Sequence, residues 1–134
     1  MKILTASPAI VTPNVAASRE FYQHYFGARL IFDCGWFINL EFEKGHSVQF
    51  MEPQEGIPPT LTEGLTYNFR VADVDQEYLA LAGAGLIAEN PPEDHPWGDR
   101  GFSVRDPSGV TLYVYSDRVP AEEFRSAYLD ADHR

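Results

Sequence analysis

Val15-Ala-Ala-Ser-Arg-Glu-Phe-Tyr-Gln-His-Tyr-Phe-Gly-Ala-Arg-Leu30 lies over Val71-Ala-Asp-Val-Asp-Gln-Glu-Tyr-Leu-Ala-Leu-Ala-Gly-Ala-Gly-Leu86 without a gap and agrees with it at six positions. Each copy follows a short apolar stretch, Pro8 to Thr12 or Leu65 to Val71, and each ends in Gly-Ala-x-Leu. A repeat of this spacing points to one supersecondary unit used twice. Inside both copies the apolar residues have helical spacing. Phe21 with Tyr25 and Tyr22 with Phe26 fall four apart in the first, and Val74, Tyr78 and Leu81 share a face in the second. Asn14 and Asp73 stand where an N-cap would accept from the orphan amides of the first turn. Gly27 and Gly83 stand where the helices should stop, because glycine reaches the left-handed conformation at little steric cost.

Working outward from the helices, the apolar period changes to that of strands. Leu30-Ile-Phe32 leads through a turn at Asp33-Cys34-Gly35 into Trp36 to Phe42, where Trp36, Ile38, Leu40 and Phe42 alternate with Phe37, Asn39 and Glu41. Glu43-Lys44-Gly45 then turns the chain into Ser47 to Met51. The second half repeats the series with Leu86 to Glu89, Gly101 to Arg105 and Val110 to Ser116. Asp106-Pro-Ser-Gly109 joins the last two, with aspartate first, proline pre-set for the second position and glycine last. Each half therefore reads βαβββ, an α+β class. The expected division is a first module over about 1–52, a proline-rich connector over 53–64, a second module over about 65–118, and a short C-terminal helix over 119–130 with proline in its first turn.

Composition narrows the functional classes. The chain has 134 residues, 44% of them apolar and 22% charged, which suits one compact globular domain. Cys34 is the only cysteine, so no internal disulfide staples the fold. No leader-like or membrane-length apolar run is present, and a cytoplasmic protein is expected. Ten Lys plus Arg against twenty Asp plus Glu give a formal charge of -10, and the cations are scattered. That disfavours nucleic acid, whose backbone needs clustered cations, and it raises the local concentration of cationic ligands.

Pro96-Trp-Gly-Asp-Arg-Gly-Phe-Ser-Val-Arg-Asp-Pro-Ser-Gly109 is similar to the segment leading into the last strand of bleomycin resistance-type proteins, and Arg19-Glu-Phe-Tyr-Gln-His-Tyr-Phe-Gly27 resembles the first helix of the same superfamily. The chain thus resembles the vicinal oxygen chelate superfamily, which includes glyoxalase, extradiol dioxygenases and the bleomycin resistance proteins. The resemblance implies paired βαβββ modules whose sheets curl round a cavity. It also implies a homodimer with ligand grooves where subunits meet, with exchange of the N-terminal strand ahead of Pro8. Metal-dependent relatives carry a His, Gln or Glu ligand on each of four strands. Carried over by position, those places fall on Ser7, Gln49, Thr66 and Tyr113. Neutral hydroxyls and an amide supply neither the charge nor the basicity a divalent cation needs, so no metal and no cofactor is expected. His24, His46, His95 and His133 do not repair the set, since no two have ligand spacing on one element.

If Tyr113 faces the implied cavity, strand alternation turns Thr111 and Tyr115 the same way, with Gln49 and Met51 on a second strand and Thr66, Asn68 and Arg70 on a third. That lining offers flat faces for stacking and polar handles for orientation, which is recognition chemistry. Two roles stay open for Trp36 and Trp97: ligand platforms on loops, or hydrophobic plugs beneath them. Two also stay open for Arg70: binding an anionic ligand group, or pairing with Glu41 or Glu52 across the sheet. Cys34 has no neighbouring histidine or arginine to lower its pKa and reads as inert. No Gly-x-Ser-x-Gly, phosphate loop or His-Glu-x-x-His is present, and a carboxylate such as Glu52 would serve as a general base only if the cavity desolvated it. The expected function is metal-free binding that sequesters a small molecule, such as a cationic aromatic antibiotic or metabolite. The site is read at Trp36, Gln49, Asn68, Arg70, Trp97, Tyr113 and Tyr115, with no nucleic-acid or membrane partner. The alternative is a lyase, isomerase or dioxygenase of the same superfamily with a displaced metal site or none.

Overall fold

The computed structural model describes residues Met1–Asp130, and His133 lies outside them. The chain forms β1 (Ala9–Val11), α1 (Val15–Phe26), β2 (Arg29–Asp33), β3 (Phe37–Glu41), β4 (Ser47–Met51), β5 (Thr66–Arg70), α2 (Val74–Gly83), β6 (Glu93–His95), β7 (Asp99–Arg105), β8 (Thr111–Asp117) and α3 (Glu122–Arg125). They build two compact units. One holds Met1–Leu65 and Asp106–Val110, so the proline-rich connector goes with the first module; the other holds Thr66–Arg105 and the chain from Thr111 onward. Each unit contains a four-stranded sheet, ordered β1-β4-β3-β2 in the first and β5-β8-β7-β6 in the second. In both, the first strand pairs parallel with the fourth and the other pairs are antiparallel. The architecture is α+β with the βαβββ order that the repeat implies.

The first unit's core is aromatic. Tyr22 is fully buried on α1, with Phe21, Phe26, Phe42 and Phe50 around its ring at centroid distances of 5.2–5.9 Å. Its hydroxyl donates to Asp106 Oδ2 at 2.6 Å. Asp106 Oδ1 accepts from the Ser108 amide and hydroxyl and from the Val110 amide, so this buried carboxylate is held by four donors. Beneath α1, Ile38, Leu40, Val48 and Phe50 alternate with half-buried neighbours along β3 and β4. In the second unit Val74 and Leu81 of α2 are buried, as are Phe102 and Val104 of β7 and Leu112 and Val114 of β8.

Local details depart from the sequence reading in five places. Leu86–Glu89 is not a strand. The Glu89 amide bonds to the Ser103 carbonyl, but the Asn90 side chain then takes the Ser103 amide and Pro91 and Pro92 have no N–H to give. Pairing resumes as β6, which puts His95 on a strand and makes Trp97 part of the β6–β7 hairpin turn. The α2 helix ends one turn-step later than expected: Gly83 is its last residue and Gly85, at φ +98°, takes the left-handed conformation that Gly27 (φ +61°) takes after α1. Asp73 caps α2 through its carboxylate to the Gln76 amide, whereas Asn14, with ψ of 40°, turns its side chain away and donates to the Pro107 carbonyl. Finally, α3 spans four residues instead of the whole of 119–130, and Pro120 precedes it. Trp36 also stands just outside β3, although its carbonyl still accepts from Glu52 N.

Candidate functional site

The polar groove of the second unit is set up by the alternation of β5 and β8. Thr66, Asn68 and Arg70 are exposed on one face of β5, and directly opposite on β8 stand Thr111, Tyr113 and Tyr115. The intervening Leu112, Val114 and Ser116 are buried on the other face. Asn68, Arg70, Tyr113 and Tyr115 come together around a cavity of about 290 Å³, closed by Gly98, Asp99, Asp117 and Tyr128. The rings of Tyr113 and Tyr115 are stacked, 5.6 Å apart and inclined by 17°. Tyr128, after α3, donates its hydroxyl to the Trp97 carbonyl and thereby holds the C-terminal segment against the β6–β7 turn.

One wall is a hydrogen-bonded cluster around Asp99. Its Oδ1 accepts from the Tyr113 hydroxyl at 2.8 Å and from His95 Nδ1 at 2.8 Å, and its Oδ2 accepts from Trp97 Nε1 at 2.7 Å. The carboxylate beside His95 Nδ1 requires the proton on that nitrogen. The His95 ring lies flat on the Trp97 indole, 4.4 Å away and 2° from parallel. Burial first, then the hydrogen bond and negative charge of Asp99, push the Tyr113 phenol well above its ordinary range, with Glu93 and Tyr115 adding to the effect. Tyr113 therefore remains a proton donor near neutral pH. It reaches Asp99 by leaning across β7, where Gly101 leaves room: a Cβ there would sit 2.5 Å from the Tyr113 Oη and Cζ atoms.

The seven residues read from the sequence are thus divided. Four line the groove. Trp97 stands behind it, fixed to Asp99 and His95. Trp36 and Gln49 belong to the first unit, Trp36 half exposed beside Phe37 and Gln49 on β4 between Ala9 and Asn39. Within its own unit Arg70 has its Nε 3.5 Å from Asp117 Oδ2, and within the first unit Glu41 is held by Arg29 at 2.6 Å. Asp99, Asp117 and Tyr128 were missed. Extending the alternation of Gly101 and Ser103 back by two residues would have reached Asp99, but nothing in the local pattern marks Tyr128.

The residues at the superfamily's metal positions do not fit a divalent cation. Ser7 lies outside β1, Thr66 faces Thr111 across the strand pair, and Tyr113 keeps its proton in a hydrogen bond donated to Asp99, so it offers no phenolate. Among the described residues no three His, Cys, Asp or Glu side chains group as a metal site, and no helix is long and apolar enough to cross a membrane.

No curated protein matches the chain by sequence. The chain is similar in fold to a glyoxalase/bleomycin resistance protein/dioxygenase from Nocardioides, with 22% identity over 88% of this chain and 85% of that one and a TM-score of 0.75. It is also similar to lactoylglutathione lyase from Agrobacterium tumefaciens (19% identity, 87% and 96% covered, TM-score 0.68) and to TioX from Micromonospora sp. ML1 (22% identity, 87% and 99% covered, TM-score 0.64). At these identities the likeness is one of fold. The family model for the Glyoxalase/Bleomycin resistance protein/Dioxygenase superfamily matches residues 5–114, and the chain belongs to that superfamily.

Proposed function

We propose that the chain is a small-molecule binding protein that holds one compact planar ligand, without a metal, in the groove of its second unit. The observation that carries this reading is the stacked pair Tyr113 and Tyr115 beside Asn68 and Arg70 in one cavity: faces for a ring and polar groups to orient it. A volume of about 290 Å³ is at the small end for ligand sites, so it suits one or two rings, and a bleomycin-type glycopeptide would place a single arm there. Assembly as a homodimer in the cytoplasm belongs to the same proposal, and sedimentation of the purified protein reads the first of these.

A second reading, an enzyme, draws on the His95–Asp99–Tyr113 cluster. The geometry favours it less. Tyr113 keeps its proton, and the Asp99 oxygens already accept from three donors, so neither is a ready base. The test is a fluorescence titration of the Trp36→Phe protein, in which Trp97 is the sole reporter, with a bleomycin-type glycopeptide and single-ring aromatic compounds. Saturation at one ligand per chain, lost in Tyr115→Ala, is expected, with the compound recovered chemically unchanged. A flat response to every compound would sink the binding reading, and a changed compound would favour the enzyme.

A further inference from the structure

In the groove the Asp99 carboxylate is saturated, whereas three side-chain donors are not. Asp99 accepts from His95, Tyr113 and Trp97. By contrast, the side chains of Asn68, Arg70 and Tyr115 make no hydrogen bond among the described residues. Arg70 stands apart from other arginines of the chain. Arg29, Arg100 and Arg105 each donate to a carboxylate at 2.6–3.2 Å, Arg100 through a two-pronged contact with Asp75. The Arg70 side chain is 53% exposed in the groove, and among the described residues its guanidinium pairs only with Asp117, at 3.5 Å and without an aligned hydrogen bond. Exposed pairs of this kind contribute little and are easily exchanged.

We infer that the ligand of this groove carries a carboxylate or similar planar oxyanion, seated on Arg70 with Asn68 and Tyr115 donating beside it and an attached ring lying on the tyrosine faces. The inference rests on the binding reading above and names the ligand's chemical class. Register places the donors for it: Arg70 is directly opposite Tyr115, and Asn68 is two residues along the same face of β5. A guanidinium fork matches the two oxygens of a carboxylate. The formal charge of -10 favours cations only at long range, and salt at about 0.1 M screens it beyond roughly 10 Å. Inside the cavity the local contact decides: Arg70 faces the Asp117 carboxylate at 3.5 Å, a loose pair that a ligand oxyanion would displace.

Three probes with one ring and different charge separate the possibilities: 4-methylbenzoate, 4-methylbenzamide and 4-methylbenzylamine, titrated calorimetrically into the full chain and its Arg70→Met and Arg70→Lys variants. The benzoate should bind most tightly, lose roughly tenfold or more in Arg70→Met, and recover part of that in Arg70→Lys. The benzamide should bind all three proteins within about threefold. Tighter binding of the benzylamine, or benzoate binding indifferent to Arg70→Met, would overturn the inference and leave the groove as a binding site. Saturable binding of none of the three would overturn the binding reading together with it.

Discussion

The first module presents Ala9, Val11, Gln49 and Met51 at the register positions where the second presents Asn68, Arg70, Tyr113 and Tyr115. The backbone scheme is the same in both, with a parallel first and fourth strand and antiparallel neighbours. What differs is where the bulk is placed. Opposite Met51 the first module has Phe37, and opposite Tyr115 the second has Gly101. The missing side chain at Gly101 is the space into which Tyr113 leans, and the matching position in the first module holds the thinner Gln49. A large-for-small exchange between neighbouring strands has made a phenol-walled, charged groove from a pattern that elsewhere carries an amide and a thioether. The comparison shows how a duplicated unit acquires chemistry without changing its fold.

The sharpest way to break the comparison is at the two hairpin turns that join the third and fourth strands. Asp106 in the second of these turns holds four donors, including the fully buried Tyr22, while Glu43 in the first is exposed. Asp106→Ala should lower stability by about 3 kcal/mol, because Tyr22 and two amides lose their acceptor. Glu43→Ala should stay within about 0.5 kcal/mol, as surface changes do. Chemical denaturation of both variants checks the contrast.

Next in size is the exchange itself. Gly101→Ala should cost about 2 kcal/mol, since the new methyl must displace the Tyr113 ring. In a Tyr113→Gln background, which copies the first module, the same change should cost less than about 0.5 kcal/mol. Equal costs in the two backgrounds would mean that the ring and the glycine are not partners.

A smaller effect of opposite sign is expected on the helices. Ser18 and Val74 match in the repeat and both are fully buried, but the Ser18 hydroxyl has no hydrogen-bond partner among the described residues. Ser18→Ala should stabilise by up to about 1 kcal/mol, seen as a raised Tm.

The last prediction concerns Tyr113 alone. Its folded-state phenol titrates above the ordinary value of 10.0, so the stabilisation linked to its neutral form is fully present below that value and is lost as pH rises from there toward its folded-state pKa. In a spectrophotometric titration of the seven tyrosines, Tyr113→Phe should remove a late-ionising component, and Asp99→Asn should move that component to lower pH.

The sequence made the elements and their faces legible where period and turn chemistry agree. The alternation of Ser47 to Met51 and Val110 to Ser116, the left-handed Gly27 and the cap at Asp73 follow from local physics, and so do the four groove residues on β5 and β8. Local pattern failed at Leu86–Glu89, where two prolines and the Asn90 side chain remove the partners a strand needs. Alternation also assigns Trp36 and Gln49 a face within the first unit but not a partner. Tyr128 belongs to the groove through a contact with Trp97 thirty-one residues away, which no periodicity encodes.

The central claim is that ligand recognition belongs to the second module's groove. It is tested most directly by the aromatic ¹H–¹³C spectrum of the protein as 4-methylbenzoate is added. The account expects the Tyr113, Tyr115 and Trp97 resonances to shift along one saturable curve while those of Trp36 and Phe37 stay still. Shifts confined to Trp36 and Phe37, or no saturable shift at all, would contradict it.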